Sequence, residues 1–153
     1  MQLKEKERAV IQDLQTQEKS CIEKYGKYAT MAKDPVLKDL FETIKKDEEQ
    51  HYESLTKVLS GTVPSSDCND NAGAKYNPKA TYSTLGETED KKSDCFLATD
   101  CIGTEKLVSS VYNTDVFNFG DSQVRKLLAD IQVEEQNHAE MLWKYKSVNG
   151  MAS

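Results

Sequence analysis

The feature that most constrains this chain is an internal repeat. Residues 14–57 align with residues 101–144 at a fixed offset of 87. Eleven positions are identical: Glu18 and Glu105, Lys19 and Lys106, Tyr25 and Tyr112, Asp34 and Asp121, Leu40 and Leu127, Ile44 and Ile131, Glu48 and Glu135, His51 and His138, Glu53 and Glu140, Leu55 and Leu142, Lys57 and Lys144. Pairing at ordinary residue frequencies would give roughly 2 or 3. Each half therefore reads as one copy of a supersecondary unit, and the apolar spacing makes that unit a helical hairpin. Two such hairpins predict an all-α four-helix bundle, with 1–153 as one domain.

The first hairpin spans 3–60. Leu3, Val10, Ile11, Leu14, Ile22, Tyr25, Ala29 and Ala32 recur near helical spacing, and Asp34-Pro35 then reads as an N-cap followed by proline at the first helical position. A second helix carries Leu37, Leu40, Phe41, Ile44, Leu55 and Leu59 up to Gly61. Residues 61–86 are rich in Gly, Pro, Asn, Ser and Thr, show no period, and read as a connection. The second hairpin, 88–149, has a helix from about 88 to 118, a break at Gly120-Asp121, and a last helix ending near Asn149-Gly150. Fully extended, the linker reaches about 86 Å, against a bundle length of about 36 Å. It is expected to be a long crossover that sets the first and third helices antiparallel.

Polar residues interrupt the apolar seams at matched places. The inward rows are 11, 14, 18, 21, 25; then 37, 41, 44, 48, 51, 55; then 97, 101, 105, 108, 112; then 124, 128, 131, 135, 138, 142. Into them fall Glu18, Glu48, His51, Glu105, Glu135 and His138, which include the only two histidines of the chain. Glu18 precedes the turn at Asp34 by about 24 Å of helix and Glu48 follows it by about 21 Å, so the two share a level. The second hairpin repeats these counts. Four buried carboxylates at one level repel strongly unless protonated or neutralised. Two divalent cations balance them, and each histidine adds one nitrogen ligand. A Glu from each of two helices with Glu-x-x-His from each of the others is the arrangement of carboxylate di-iron centres. These ligand types suit iron or manganese and do not exclude zinc. Tyr25 and Tyr112 lie two turns beyond Glu18 and Glu105 on the same face, as hydrogen-bond donors to the site or as ordinary core aromatics. Cys21 and Cys101 read as small buried hydrophobes, and antiparallel helices would put them on one side of the site. Glu49, Glu134 and Asp47 read as facing solvent or the edge of the seam.

Composition excludes other classes. The net charge of -6, from 20 basic and 26 acidic residues, argues against nucleic acid or an anionic membrane surface as partner. No run of 18 apolar residues exists to span a membrane. The start, MQLKEKERAV, lacks the apolar core of a secretion signal, so synthesis in a reducing cytoplasm is expected. The four cysteines form no C-x-x-C pair, and no role is assigned to Cys68 or Cys95.

The ligand pattern, with Glu18, "EEQH" at 48–51, Glu105 and "EEQNH" at 134–138, resembles the ferritin-like superfamily and rubrerythrins in particular. The phrases "LQTQEKSCIEKYGKYA" (14–29), "STLGETEDKKSDCFLATDCIGTEKLVSSVYNT" (83–114) and "EEQNHAEMLWKYKSVNGM" (134–151) resemble the spore coat F family of endospore-forming bacteria. The resemblance implies a ferritin-like bundle in the spore coat, with other coat proteins or further copies of the chain as partners. It also implies that Glu48 and Glu135 bridge two metals, that Glu18 and Glu105 are terminal ligands, and that His51 and His138 take one metal each. Two departures from that pattern shape the expectation: residues 1–153 show no rubredoxin-like four-cysteine motif for electron entry and no fifth helix of the cage-ferritin kind, so iron storage in a cage is not expected. Three functions follow: a di-iron redox protein reducing peroxide or dioxygen, a structural coat component in which the site is structural or vestigial, and a small metal buffer.

Overall fold

In the computed structural model of the chain, residues 1–66 and 68–151 are described; Asp67 of the linker and residues 152–153 lie outside them. The elements are α1 (Glu5–Met31), α2 (Pro35–Leu59), α3 (Ala72–Lys75), α4 (Glu89–Asp115) and α5 (Ser122–Val148), with a 3-10 turn at Val116–Asn118 between the last two. No strand occurs among the described residues, and no helix is long and apolar enough to cross a membrane.

The two halves start and stop their helices by the same devices. Asp34 caps α2 by accepting from the Val36 N–H, with Pro35 behind it. Its repeat partner Asp121 caps α5 by accepting from the Gln123 and Val124 N–H groups. Each C-terminus closes on a glycine in the left-handed region: Gly61 at φ 96° after α2 and Gly150 at φ 62° after α5. The next N–H then reaches back to a carbonyl of the last turn, Thr62 to Lys57 and Met151 to Lys146, both at 3.0 Å. A side chain at either glycine would strain this stop.

α1 packs on α2 and α4 on α5, as hairpins. Every seam position listed above is buried. One core cluster holds Tyr25, Leu37, Phe41, Ile44, Leu97, Cys101, Leu142 and Tyr145; the other holds Ile11, Leu14, Cys21, Leu55, Val108, Tyr112, Val124 and Leu128. The last half of α1 thus shares a cluster with the first half of α4, and the first half of α1 with the last half of α4. The two helices run antiparallel, and the linker travels the length of the bundle. At one end Asp94 of α4 accepts from the backbone N–H groups of Lys33 and Asp34 at 2.9 Å. At the other, the Gly120 N–H meets Glu7 and the Arg8 guanidinium meets the Leu59 carbonyl.

Three expectations need correction. The linker is not without an element: α3 forms inside it and lies on α5. Lys144 donates to the carbonyls of Gly73, Ala74 and Tyr76, and Asn137 Oδ1 accepts from the Gly73 N–H. A four-residue helix has too few turns to show a period, and these tertiary partners stabilise it. The third helix stops as α-helix at Asp115, and residues 116–118 tighten to 3-10. Cys21 and Cys101 fall in different core clusters rather than on one side. Side chains lean toward the N-terminus of their own helix, so in antiparallel helices the two thiols lean in opposite directions.

Candidate metal centre

All six seam carboxylates and imidazoles are buried at one level, none more than 2% exposed. Glu18 and Glu105 come from α1 and α4, Glu48 with His51 from α2, and Glu135 with His138 from α5. They form two overlapping groups, Glu18, Glu48, His51 and Glu135, and Glu48, Glu105, Glu135 and His138. In each group one ligand atom per residue lies within 4.8 Å of the others. Glu48 and Glu135 belong to both. Glu48 Oε2 lies 3.6 Å from His51 Nδ1 while its Oε1 lies 3.0 Å from His138 Nδ1. Glu135 Oε1 lies 3.0 Å from His51 Nδ1 while its Oε2 lies 3.9 Å from His138 Nδ1. The two imidazoles face each other with ring centroids 6.1 Å apart.

The outer atoms of the cluster are held and the inner ones are not. Tyr25 donates to Glu105 Oε1 and Tyr112 to Glu18 Oε1, both at 2.5 Å and each from the other hairpin. His51 Nε2 pairs with Glu134 Oε2 at 3.0 Å, and His138 Nε2 pairs with Asp47 Oδ2 at 3.0 Å, again across hairpins. What remains is Glu18 Oε2, both oxygens of Glu48, His51 Nδ1, Glu105 Oε2, both oxygens of Glu135 and His138 Nδ1. These eight atoms are buried without a hydrogen-bond partner. Buried polar groups are satisfied in the great majority of cases, and leaving one bare costs about 1–3 kcal/mol. Eight bare atoms turned to a common centre are what a pair of cations would satisfy, and the donor set of six oxygens and two nitrogens fits the ions named above.

The tyrosines are thus core residues and donors at once. Tyr25 packs on Phe41 with ring centroids 5.8 Å apart while its hydroxyl reaches Glu105. Burial, then the negative charge of Glu105 beside Tyr25 and of Glu18 beside Tyr112, holds both phenols far above the ordinary tyrosine range. They stay protonated and donate.

Without cations the cluster must take up protons. Burial, then the hydrogen bond with Glu48, raises the Glu18 carboxyl from 4.5 to about 8. Burial, then the charges of Glu105 and Glu48, raises Glu135 well above the usual range. Burial would raise Glu48 too, but the close approach of Glu18, His138 and His51 outweighs it and holds Glu48 low. Both histidines are raised: burial opposes their charge, and surrounding acids overcome it, chiefly Glu134 and Glu135 for His51 and Glu105 and Asp47 for His138. Burial, then the charges of Glu48, Glu18, Glu135 and Glu105, pushes the Cys21 thiol up as well.

Asp47 and Glu134 are the residues that the seam argument misses, since it turns them to solvent. They are 45% and 29% exposed at the side chain, yet each anchors a histidine of the other hairpin. A signal for them exists. They are repeat partners at the offset of 87, and both are acidic.

Residues 93–153 match the family model of the Coat F domain. No curated protein and no solved structure matches the chain. The matched span holds Glu105, Glu134, Glu135 and His138, so half of the cluster lies inside it and the other half is supplied by the first copy of the repeat. Over its second hairpin this chain is therefore similar to Coat F domain proteins, by the stretch that carries the second of the two Glu-x-x-His motifs.

Proposed function

We propose that the chain is a ferritin-like protein of the spore coat F type that holds two divalent metal ions, iron first, and reduces peroxide or dioxygen with them. The observation that carries this reading is the set of eight partnerless ligand atoms at one level of the core. Glu18 and His51 would hold one ion and Glu105 and His138 the other, with Glu48 and Glu135 shared between them. When bound, two ferrous ions supply the two electrons that, with two protons, turn hydrogen peroxide into two waters. Around them the chain holds charge and geometry. Tyr25 and Tyr112 fix the outer oxygens of Glu105 and Glu18. Asp47 and Glu134 fix the imidazole orientation and leave Nδ1 free to ligate. Association with the spore coat, through other coat proteins or further copies of the chain, rests on the family likeness alone.

The second reading, a structural coat component in which the metals only brace the bundle, is favoured by the Coat F match of residues 93–153. The two separate on one experiment. Wild type is loaded anaerobically with ferrous iron and then given peroxide or oxygen. About two irons per chain and fast oxidation, both lost in Glu48→Ala, are expected for the redox protein. Two metals with no accelerated oxidation mean the structural one. No uptake at all refutes the centre.

A further inference from the structure

A cavity of about 190 Å³ opens between α1 and α4. Its mouth is lined by Ser20, Lys24, Thr104 and Leu107, and its inner wall is Cys21 and Val108. Cys21 stands one turn beyond Glu18 on the same buried face, and Val108 stands one turn beyond Glu105. The two wall residues are 4% and 1% exposed. The cavity therefore ends against the side of the cluster that the terminal carboxylates form. The opposite side is covered, by Glu134 and Asp47 on the histidines and by α3 over α5.

We propose that this cleft is the entry path and waiting site of a small uncharged molecule bound for the carboxylate–histidine cluster, with Cys21 and Val108 as its inner gate. The proposal rests on the metal-centre reading above. Size limits the guest: a cavity of about 150 Å³ takes a molecule of benzene size, so this one, at about 190 Å³, suits a small molecule rather than a large organic substrate. Charge limits it further. The Lys24 ammonium lies across the mouth, donating to Asp100 at 3.1 Å and Thr104 at 2.8 Å, and the lining has no carboxylate to hand a cation inward. Asp100 offsets the Lys24 charge, so a divalent ion finds neither a ligand nor an attractive field there, and a neutral oxidant the size of dioxygen or hydrogen peroxide needs neither. Gln17 also lines the cavity, and its Oε1 is buried without a partner, an acceptor for a hydroxylic guest.

The test uses nitric oxide as a neutral probe on protein loaded with ferrous iron under anaerobic conditions. Iron content is measured separately and the adduct is followed by stopped-flow absorbance. Ser20→Trp, at an exposed position on the mouth, should slow adduct formation at least about tenfold with iron content unchanged. Leu107→Trp should do the same, and Cys21→Ala should speed it several-fold. Gln136→Trp, on the far face of α5, should leave it unchanged. In metal-free wild type, dissolved xenon should shift the methyl resonances of Val108 and Leu107, and Ser20→Trp should abolish the shift. Iron bound normally with an unaltered rate in both tryptophan variants overturns the path alone. Slowed iron uptake in those variants would make the cleft a cation route and overturn the neutral guest. A chain that takes up no iron removes the centre, and the path with it.

Discussion

At the scale of residues, the centre is decided by which atoms have partners. Each candidate ligand that could turn away is tied on its outer side, by a tyrosine hydroxyl for Glu18 and Glu105 and by a carboxylate for His51 and His138. Such outer partners of metal ligands are commonly worth about 10–100-fold in affinity. Glu134→Gln is therefore expected to weaken the ion held by His51 by about that factor, and Asp47→Asn the ion held by His138, with the other ion less affected. A competition titration with zinc against a chromophoric chelator resolves the two steps. Equal weakening of both steps, or none, would count against the anchoring role. Part of this was legible beforehand. The six candidate ligands stand out because polar residues at seam positions are conspicuous. Asp47 and Glu134 do not, because their partners lie on the other hairpin and no spacing within one hairpin encodes them.

At the scale of elements, the long helices are written locally and α3 is not. Asp34, Asp121, Gly61 and Gly150 set helix ends through contacts within a few residues. α3 exists because Gly73 lets the backbone approach α5. A Cβ at Gly73 would stand 2.8 Å from Asn137 Oδ1, which accepts from the Gly73 N–H, and would collide with the Glu140 carboxylate. Gly73→Ala is expected to lower stability by roughly 1–2 kcal/mol, since Glu140 can swing aside but Asn137 is held. Urea unfolding measures it as a lower midpoint with an unchanged slope. A midpoint equal to wild type would mean that α3 is not docked. Lys144→Met, which removes the donor to three linker carbonyls, should give a loss of the same sign.

At the scale of the whole molecule, the cluster links folding to pH and metal. Glu18 ionises near 4.5 when unfolded and near 8 when folded. Between those values the folded chain binds the extra proton, so stability falls as pH rises. The raised histidines act in the same direction: their contribution is full below 6.5 and is lost as pH climbs through their folded values. Glu48, held low, opposes this only in acid, where stability is lost as pH falls through its folded value. Metal-free protein is thus expected to lose thermal stability from pH 6 to pH 8. Metal binding displaces these protons, so the rise in Tm on adding zinc should be larger at pH 8 than at pH 6. Scanning calorimetry with zinc or with a chelator at both pH values tests it. A metal increment that shrinks with pH would contradict the cluster as described.

The sequence by itself determined the repeat, the four long helices, the ends marked by Asp34, Gly61 and Gly150, the buried faces and the level at which six polar side chains meet. All of these follow from periodicity and from counting 1.5 Å per residue along a helix, which needs no knowledge of neighbours. The tertiary structure alone decided what crosses between the hairpins: Tyr25 to Glu105, Tyr112 to Glu18, Glu134 to His51 and Asp47 to His138. It also decided the separation of Cys21 from Cys101, the docking of α3 and the cavity between α1 and α4. Each depends on how two helices are set side by side, and that is settled by packing summed over the whole interface rather than by any local run of residues.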